Sequence, residues 1–245
     1  MAISFNICLA DQVIAITALY DSTRFFCRKY LTDALPAFHI TIDSSDIVYE
    51  RNKSDQEALS AGQIPITYSD EYLETLALYR KIVTELLNYD ILLFHGSAIS
   101  VDNEAYIFTA KSGTGKSTHT QLWKKHFGDR ATIINDDKPL LRISNEEVIV
   151  YGTPWDGKHH RSLNTSCHVK SICLLTRSQT NYIEPLTKKQ ALPMLCQQTY
   201  RPAAPSALSK TLALINRLGN AVEFYKLECN MEPDAALTAY HGMNK

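Results

Sequence analysis

The 245-residue sequence predicts an α/β fold, and three observations carry this prediction. From about residue 69 onward, short runs of β-branched and aromatic residues alternate with amphipathic segments of helical period. One such strand pattern and one such helix pattern flank the run AKSGTGKS at residues 110–117. Hydrophobic residues make up 45% of the chain and charged residues 21%, which indicates a globular protein with a sizeable core.

The first part of the chain carries no recognisable chemistry and predicts a small α+β unit over residues 1–68, followed by a larger domain over residues 69–245. Phe38–Ile42 and Asp46–Glu50 alternate apolar and polar residues, which predicts two short strands. The polar segment Asn52–Gln63 predicts a loop or linker.

The larger domain begins with a predicted helix near Ser69-Asp70, since both residues are good helix caps and apolar residues follow on one face. The predicted strands are Ile91–Phe94, Ala98–Val101, Glu104–Ala110, Ala131–Asn135, Leu140–Ile143, Glu147–Tyr151, His168–Thr176, Tyr182–Pro185 and Val222–Leu227. The other predicted helices are Ser117–Phe127, one capped by Thr187, one around 208–218 and one at 233–240.

The eight-residue run matches the phosphate-binding loop pattern, with Ala110 where the first glycine usually stands. Gly113 and Gly115 allow a tight turn whose N–H groups point at a polyphosphate. Lys116 then reaches the β- and γ-phosphates, and the hydroxyl of Ser117 is suited to coordinate Mg²⁺. The positive end of the helix that follows faces the same phosphates.

Two acidic residues, Asp136-Asp137, follow directly after the apolar strand that ends near Ile134. A strand that ends in carboxylates opposite a phosphate loop indicates a magnesium site, and one carboxylate of the pair is suited to accept the proton of an incoming hydroxyl. The alternative is a solvated turn before Lys138-Pro139.

Two further segments are candidates for chemistry. His95 ends a strand and is suited to donate to phosphate or relay a proton, the alternative being a core histidine bonded to a backbone carbonyl. The loop 152–158, with Trp155, Lys158 and the nearby Arg161, is suited to a lid that binds the phosphate or carboxylate of a substrate. The alternative is an ordinary surface loop.

Three segments together resemble the catalytic domain of HPr kinase/phosphorylase. They are His95-Gly96, residues 112–117 and Asp136-Asp137, in the family's order and approximate spacing. Those bacterial enzymes phosphorylate a serine of a small carrier protein and are structurally related to phosphoenolpyruvate carboxykinases. A shorter branch, which includes kinases of lasso-peptide tailoring, looks more similar still in segments 95–99, 112–119, 134–139 and 152–155, and the resemblance covers about residues 70–240.

The resemblance implies a mixed, twisted sheet with the phosphate loop between a strand and a helix. It implies catalytic roles for His95, Lys116 and the pair Asp136 and Asp137, with Asp137 preferred as the proton acceptor, and metal binding by Ser117 and the same pair. It implies that the nucleotide is bound by Ser112, Gly113, Thr114, Gly115, Lys116, Ser117 and Thr118. Thr118 stands where HPr kinases carry glutamate. Their arginine-rich signature, which serves the phosphorylase reaction, is not found, so whether this chain has that reaction stays open.

We therefore expect an ATP- and Mg²⁺-dependent kinase that acts on a hydroxyl, most simply a serine of a peptide or small protein. A small-molecule kinase for a phosphorylated or carboxylated metabolite, and a non-catalytic nucleotide-binding regulator, remain as alternatives. HPr kinases are hexamers, so a homo-oligomer is a possible state.

Composition limits the partners and the compartment. The net charge of −1 disfavours nucleic acid as the main partner. We expect no membrane span, because no uncharged apolar stretch of about 18 residues occurs. The start of the chain has no basic segment typical of a signal peptide, and the six scattered cysteines suit a reducing compartment, so a cytoplasmic location is expected.

Overall fold

A computed structural model of the chain describes residues 2–145, 147–157 and 160–244. Contacts between residues divide the chain into two compact units, Met1–Glu85 and Leu86–Lys245. The boundary expected from the sequence lies one helix earlier, between residues 68 and 69. That helix belongs with the first unit because the buried carboxylate of Glu74 accepts hydrogen bonds from the backbone of Leu19 and Tyr20.

The N-terminal unit combines a three-stranded sheet with helices. Its strands are β1 (Ile3–Leu9), β2 (Gln12–Ala18) and β3 (Phe38–Thr41), and its helices are α1 (Asp21–Phe26), α2 (Ser44–Ser60) and α3 (Asp70–Leu86). β1 and β2 form an antiparallel hairpin, and β3 pairs with β2 in parallel.

Two sequence predictions in this unit are wrong, because α2 occupies both the predicted strand Asp46–Glu50 and most of the predicted linker Asn52–Gln63. Asp43 caps the helix by accepting from the backbone N–H groups of Ser45 and Asp46. The buried face of α2 carries acidic residues that pair with Arg80 of α3. An apolar-periodicity argument misses a helix whose buried face is charged.

The C-terminal unit contains one mixed sheet with helices packed on it. Its strands are β4 (Ile91–Leu93), β5 (Ser97–Val101), β6 (Glu104–Thr109), β7 (Ala131–Asn135), β8 (Leu140–Ile143), β9 (Val148–Tyr151), β10 (Ser166–Arg177), β11 (Tyr182–Leu186) and β12 (Glu223–Cys229). Its helices are α4 (Lys116–Phe127), α5 (Lys188–Gln198), α6 (Pro205–Ala221) and α7 (Asp234–Gly242). The predicted α/β class and these elements are confirmed, with bounds that differ by a few residues.

The strand order of this sheet brings several strand ends to one edge. The order is β4-β8-β9-β10-β6-β5-β7, and β12 pairs with both β10 and β11. β5 is antiparallel to β6 on one side and to β7 on the other, so β6 and β7 point the same way. β10 runs parallel to both β6 and β12. The carboxyl ends of β6, β7, β10 and β12 therefore lie at the same edge.

Alternate residues of the strands enter two apolar clusters, one on each face of the sheet. In β6, Ile107 packs in the cluster that includes residues of α5 and α6, whereas Phe108 packs in the cluster that includes residues of α4 and α7. The sheet is thus buried between helices on both faces, which fixes the strand ends that carry the candidate site. None of the described helices combines the length and apolar character that a bilayer span requires.

Candidate active site

The loop at residues 110–115 joins the end of β6 to the start of α4. Its backbone turns at Gly113 (φ +78°) and Gly115 (φ +120°), conformations that residues with a Cβ rarely adopt. Thr114 N–H donates to the carbonyl of Lys111 (3.2 Å), and His119 N–H donates to the carbonyl of Gly115 (2.9 Å). The glycines therefore permit a sharp turn that leads directly into a helix N-terminus.

Arg177, at the end of β10, holds this turn from one side. Its guanidinium donates to the carbonyl oxygens of Gly113 and Thr114, with 3.1 Å between Nε and the Thr114 oxygen. In a trans peptide the N–H points opposite to the C=O. The N–H groups of Thr114 and Gly115 consequently point away from Arg177. Sequence reasoning missed this residue, because β10 lies far from the loop along the chain.

The sheet order places His95 and the acidic pair beside this loop. Ser97 at the start of β5 is paired with Phe108 near the end of β6, and Ala98 is paired with Asn135 at the end of β7. The hydroxyl of Thr109, the residue that ends β6, donates to the carbonyl of His95 (2.8 Å). The loop, His95 and the acidic turn after β7 therefore share one edge of the sheet, as their sequence patterns predict.

Asn135 fixes the shape of the acidic turn. Its side-chain oxygen accepts from the backbone N–H groups of Asp137 (2.9 Å) and Lys138 (2.7 Å), and its side-chain nitrogen donates to the hydroxyl of Thr153 (3.0 Å). Both Asn135 and Thr153 are fully buried. They tie the turn that carries the aspartates to the loop after β9. Their roles were not predicted, since an asparagine and a threonine inside a motif give no separate signal.

Asp136 is buried without a compensating contact. Asp136 is 3% exposed, and neither of its carboxylate oxygens has a hydrogen-bond partner within the described part of the chain. Its backbone carbonyl accepts from the Ser97 hydroxyl (3.2 Å). A buried carboxylate is costly unless it is paired with a cation or a donor. Asp136 is therefore the residue of this site whose carboxyl group lacks, among the described residues, the partner that its burial requires.

Asp137 has a different environment from its neighbour. Its carboxylate lies 3.3 Å from Nε2 of His95 and 3.9 Å from Nζ of Lys138. Burial raises the pKa of Asp137, but the hydrogen bond from His95 and the charges of Lys138, His95 and Lys116 outweigh it and leave the pKa lowered. Asp137 is therefore held as a carboxylate beside an imidazole.

Lys116 is the first residue of α4 and is half-buried. Burial lowers the pKa of Lys116, and the charges of Asp137 and Asp136 act against this by raising it. The charges of the two aspartates thus act on Lys116 through space. Of the other predicted nucleotide-binding residues, Ser112 and Thr118 are exposed and Ser117 is half-buried in the first turn of the helix.

The predicted substrate-binding residues differ in their exposure to solvent. Trp155 is 4% exposed, so its side chain is packed in the protein, whereas Arg161 is exposed. Lys158 lies outside the described residues. The loop is anchored at its start because Gly152 allows close contact: a Cβ there would lie 1.8 Å from the carbonyl oxygen of Leu163.

Comparisons with known proteins give little beyond this geometry. No protein-family model and no curated protein matches the sequence. Among solved structures, the chain is similar to the Hpr(Ser) kinase/phosphatase from Coxiella burnetii, with 13% identity over 51% of this chain and 90% of that one, and a TM-score of 0.30. A match at this TM-score supports no argument about the site, so the proposals below rest on the residues of this chain.

Proposed function

We propose that this protein is a Mg²⁺-dependent kinase that transfers the γ-phosphoryl group of ATP to a hydroxyl, most simply a serine of a peptide or small protein. The observation that carries the proposal is that Lys116, at the N-terminus of α4, lies at the same edge of the sheet as Asp136, whose buried carboxyl group has no hydrogen-bond partner among the described residues. A lysine at a helix N-terminus and a carboxyl group without a partner at the same sheet edge suit a magnesium-bound polyphosphate.

The loop supplies the phosphate contacts. The backbone N–H group of Gly115, oriented by Arg177, and the first N–H groups of α4 would bind the polyphosphate, and Lys116 would bind its terminal phosphates. Ser112 and Thr118 are exposed on either side of this stretch and available for further phosphate contacts. Electrostatic stabilisation of a transferring phosphoryl group requires such groups to be in place before substrate binds, and the contacts of Arg177 with the loop support this.

The residues present also fit a magnesium ion. Asp136 offers a buried carboxylate without a partner, and Ser117 offers a hydroxyl in the first turn of α4. Mg²⁺ prefers one or two such oxygen ligands completed by substrate phosphates and water. When bound, it would neutralise charge on the polyphosphate. Asp137 contributes its charge to the same site and completes the predicted set of metal-site residues.

The proton of the acceptor would go to Asp137. Its pKa is lowered, so it is a carboxylate at neutral pH, and Nε2 of His95 at 3.3 Å fixes its orientation. As the acceptor oxygen forms its bond to the γ-phosphorus, the bond from that phosphorus to the bridging oxygen breaks. The hydroxyl proton passes to Asp137, and ADP carries away the electron pair of the broken bond. His95 would also be placed to donate to the γ-phosphate.

A phosphorylation assay tests the proposal. Protein incubated with MgATP and a library of serine-containing peptides should yield phosphoserine detectable by mass spectrometry. Lys116→Ala should lower the rate by at least about 100-fold, because positioning and charge supply nearly all of the catalysis in such sites. Lys125→Ala, at an exposed position of the same helix, is the matched control and should keep the wild-type rate. An unchanged rate in Lys116→Ala would refute the assignment.

The same assay separates the alternatives. A metabolite kinase would phosphorylate none of the peptides but would consume MgATP with a small hydroxylated acid or sugar phosphate, and exposed Arg161 is the described residue suited to bind such an anion. A non-catalytic regulator would bind MgATP without turnover on any acceptor. A homo-oligomeric state, proposed from the family resemblance alone, is measurable by light scattering.

A further inference from the structure

A groove in the N-terminal unit has no role in the proposed chemistry. Its volume is about 330 Å³, and it lies between β3 and the last turns of α3. Three consecutive residues of β3 and four residues of α3 line it. All of them belong to the compact unit Met1–Glu85, and none is a residue of the candidate active site.

The strand that lines the groove is an edge strand. β3 comes last in the order β1-β2-β3, and no other strand among the described residues pairs with its free side. An edge strand presents main-chain N–H and C=O groups with which another extended chain can pair. The ladder between β2 and β3 runs from Phe38 to Thr41, so the free side of β3 spans four residues.

The groove runs along the free edge of β3 and not over one face of the sheet. Successive side chains of a strand point to opposite faces. His39, Ile40 and Thr41 all line the groove, although His39 and Thr41 are exposed and Ile40 is buried. A groove that contacts both alternating sets of residues lies beside the main chain. Lys81 of α3 donates to the carbonyl oxygen of Thr41 (2.9 Å), so a main-chain acceptor of β3 points toward the helix.

The charged residues of the groove do not select an anion. Arg80 pairs with the buried carboxylates of Asp46 and Glu50. Lys81 pairs with Asp46 as well, and Glu85 adds an acidic group to the wall. These carboxylates balance the two cations, so a phosphate or another anion meets no net positive charge here. The main chain of β3 remains as the recognition surface, and an extended polypeptide is the ligand that pairs with it.

We propose that the groove between β3 and α3 binds an extended peptide segment, which adds to the sheet as a fourth strand beside β3. The inference rests on the proposed function for the identity of this segment, which is a part of the peptide or small-protein acceptor other than its phosphorylated serine. Binding of the acceptor at a second place makes the encounter of its serine with the active site intramolecular, and thereby lowers KM.

Peptide selection on the full chain, without MgATP, tests the groove directly. A phage library of random dodecapeptides provides the probes, and fluorescence anisotropy measures the affinity of the peptides selected. Thr84→Trp should weaken their binding at least about tenfold, because the larger side chain fills the groove. Glu71→Trp adds the same side chain at an exposed position of α3 outside the groove and should keep the wild-type affinity. Equal affinities of the two variants would refute the site.

Backbone methylation of a selected peptide tests the strand pairing itself. Alternate N–H groups of an extended chain point to opposite sides, so only one alternate set can pair with β3. N-methylation of that set should abolish binding to the wild-type protein, whereas N-methylation of the other set should leave it nearly unchanged. Equal effects of the two sets would contradict strand addition. This measurement needs no variant, so it decides even if Thr84→Trp does not fold.

Kinetics test whether the acceptor is the occupant. For the serine peptide with the lowest KM in the phosphorylation assay, Thr84→Trp should raise KM at least about tenfold with a much smaller effect on kcat. An unchanged KM would refute acceptor docking. A dimer seen by light scattering in the wild-type protein and lost in Thr84→Trp would assign the groove to a second copy of the chain and contradict the inference.

Failure of the groove and failure of the proposed function give different results. Lys116→Ala should bind the selected dodecapeptides as the wild-type protein does, because the groove contains no residue of the phosphate loop. Dodecapeptide binding without phosphorylation of any serine peptide would refute the kinase and, with it, the acceptor as occupant. Phosphorylation without selection of any dodecapeptide would refute the groove and leave the kinase standing.

Discussion

Asp136 and Asp137 are adjacent in sequence but differ in what surrounds their carboxylates. Asp136 is buried and lacks a partner in the described structure, whereas Asp137 is partly exposed and lies between His95 and Lys138. The sequence alone could not separate the roles of two identical neighbouring residues. The structure gives each its own environment, and for that reason we propose the metal-binding role for Asp136 and the proton-accepting role for Asp137.

This division predicts different kinetic defects. Asp137→Asn should lower kcat by about 10²–10⁴-fold at saturating Mg²⁺, as expected for loss of a general base, with little change in the Mg²⁺ concentration needed for half-maximal rate. Asp136→Asn should raise that Mg²⁺ concentration. Steady-state rates measured across a Mg²⁺ series check both. The same Mg²⁺ dependence in the two variants would contradict the division of roles.

His119 predicts a pH dependence of stability. Its pKa in the folded protein is about 3, below the ordinary value of 6.5, so between these values the unfolded chain binds a proton that the folded chain does not. The contribution of His119 to the free energy of unfolding is therefore fully present above the ordinary pKa of 6.5 that the residue has in the unfolded chain. It falls by about 1.4 kcal/mol per pH unit as the pH drops below that value. Urea unfolding at pH 7 and pH 5 measures the loss.

A matched pair of variants isolates this effect. In the wild-type protein, the indole N–H of Trp123 donates to Nε2 of His119 (3.1 Å). His119→Gln can still accept from Trp123 but does not titrate, so its free energy of unfolding should fall less between pH 7 and pH 5 than that of the wild-type protein. His126→Gln, at an exposed position of the same helix, should keep the wild-type dependence. An acid dependence that survives in His119→Gln would show that another group causes it.

At the scale of elements, the strand, loop and helix around residues 104–127 were predictable because the signals are local. The β-branched run, the two glycines and Gly128 at the helix end each act through their own backbone. The N-terminal hairpin was not predicted. Its turn residues, Ala10 and Asp11, have φ of +49° and +62°, and such turns are recognised in sequences by asparagine and glycine.

The contacts that support the loop could not be predicted from the sequence either. Arg177 on β10 contacts the loop only because β10 pairs with β6, and strand pairing over this distance leaves no local pattern. The clamp between Asn135 and Thr153 similarly depends on how two loops approach each other. Local motifs thus predicted the strand, the turn and the helix of this segment, whereas long-range pairing determines which residues hold the turn.

The contact between Arg177 and the loop leads to a prediction about MgATP binding. Arg177→Ala removes the donors that hold the carbonyls of Gly113 and Thr114, so the loop should lose preorganisation and bind MgATP about tenfold more weakly. Arg201→Ala, which replaces another exposed arginine of the same unit, is the control and should bind as the wild-type protein does. Calorimetric titration measures both. Full MgATP affinity in Arg177→Ala would show that the loop holds its shape unaided.

For the whole molecule, ligand binding should appear as added stability. A ligand that binds only the folded state at 100 times its Kd adds about 2.7 kcal/mol to the free energy of unfolding. For a chain of this size, that corresponds to a rise in Tm of roughly 5 °C or more. MgATP should raise the Tm of the wild-type protein by this amount and that of Lys116→Ala by much less. NaCl at matched ionic strength controls for screening, and equal shifts in both proteins would argue against the loop as the binding site.

The proposed function depends most on where the polyphosphate binds. A crystal structure with Mg²⁺ and a non-hydrolysable ATP analogue measures this directly. We predict the β-phosphate against the N–H groups of residues 115–117, and a cation about 2.1 Å from a carboxylate oxygen of Asp136. A polyphosphate bound elsewhere, or an Asp136 that remains without a cation while the nucleotide is bound, would contradict the central claim.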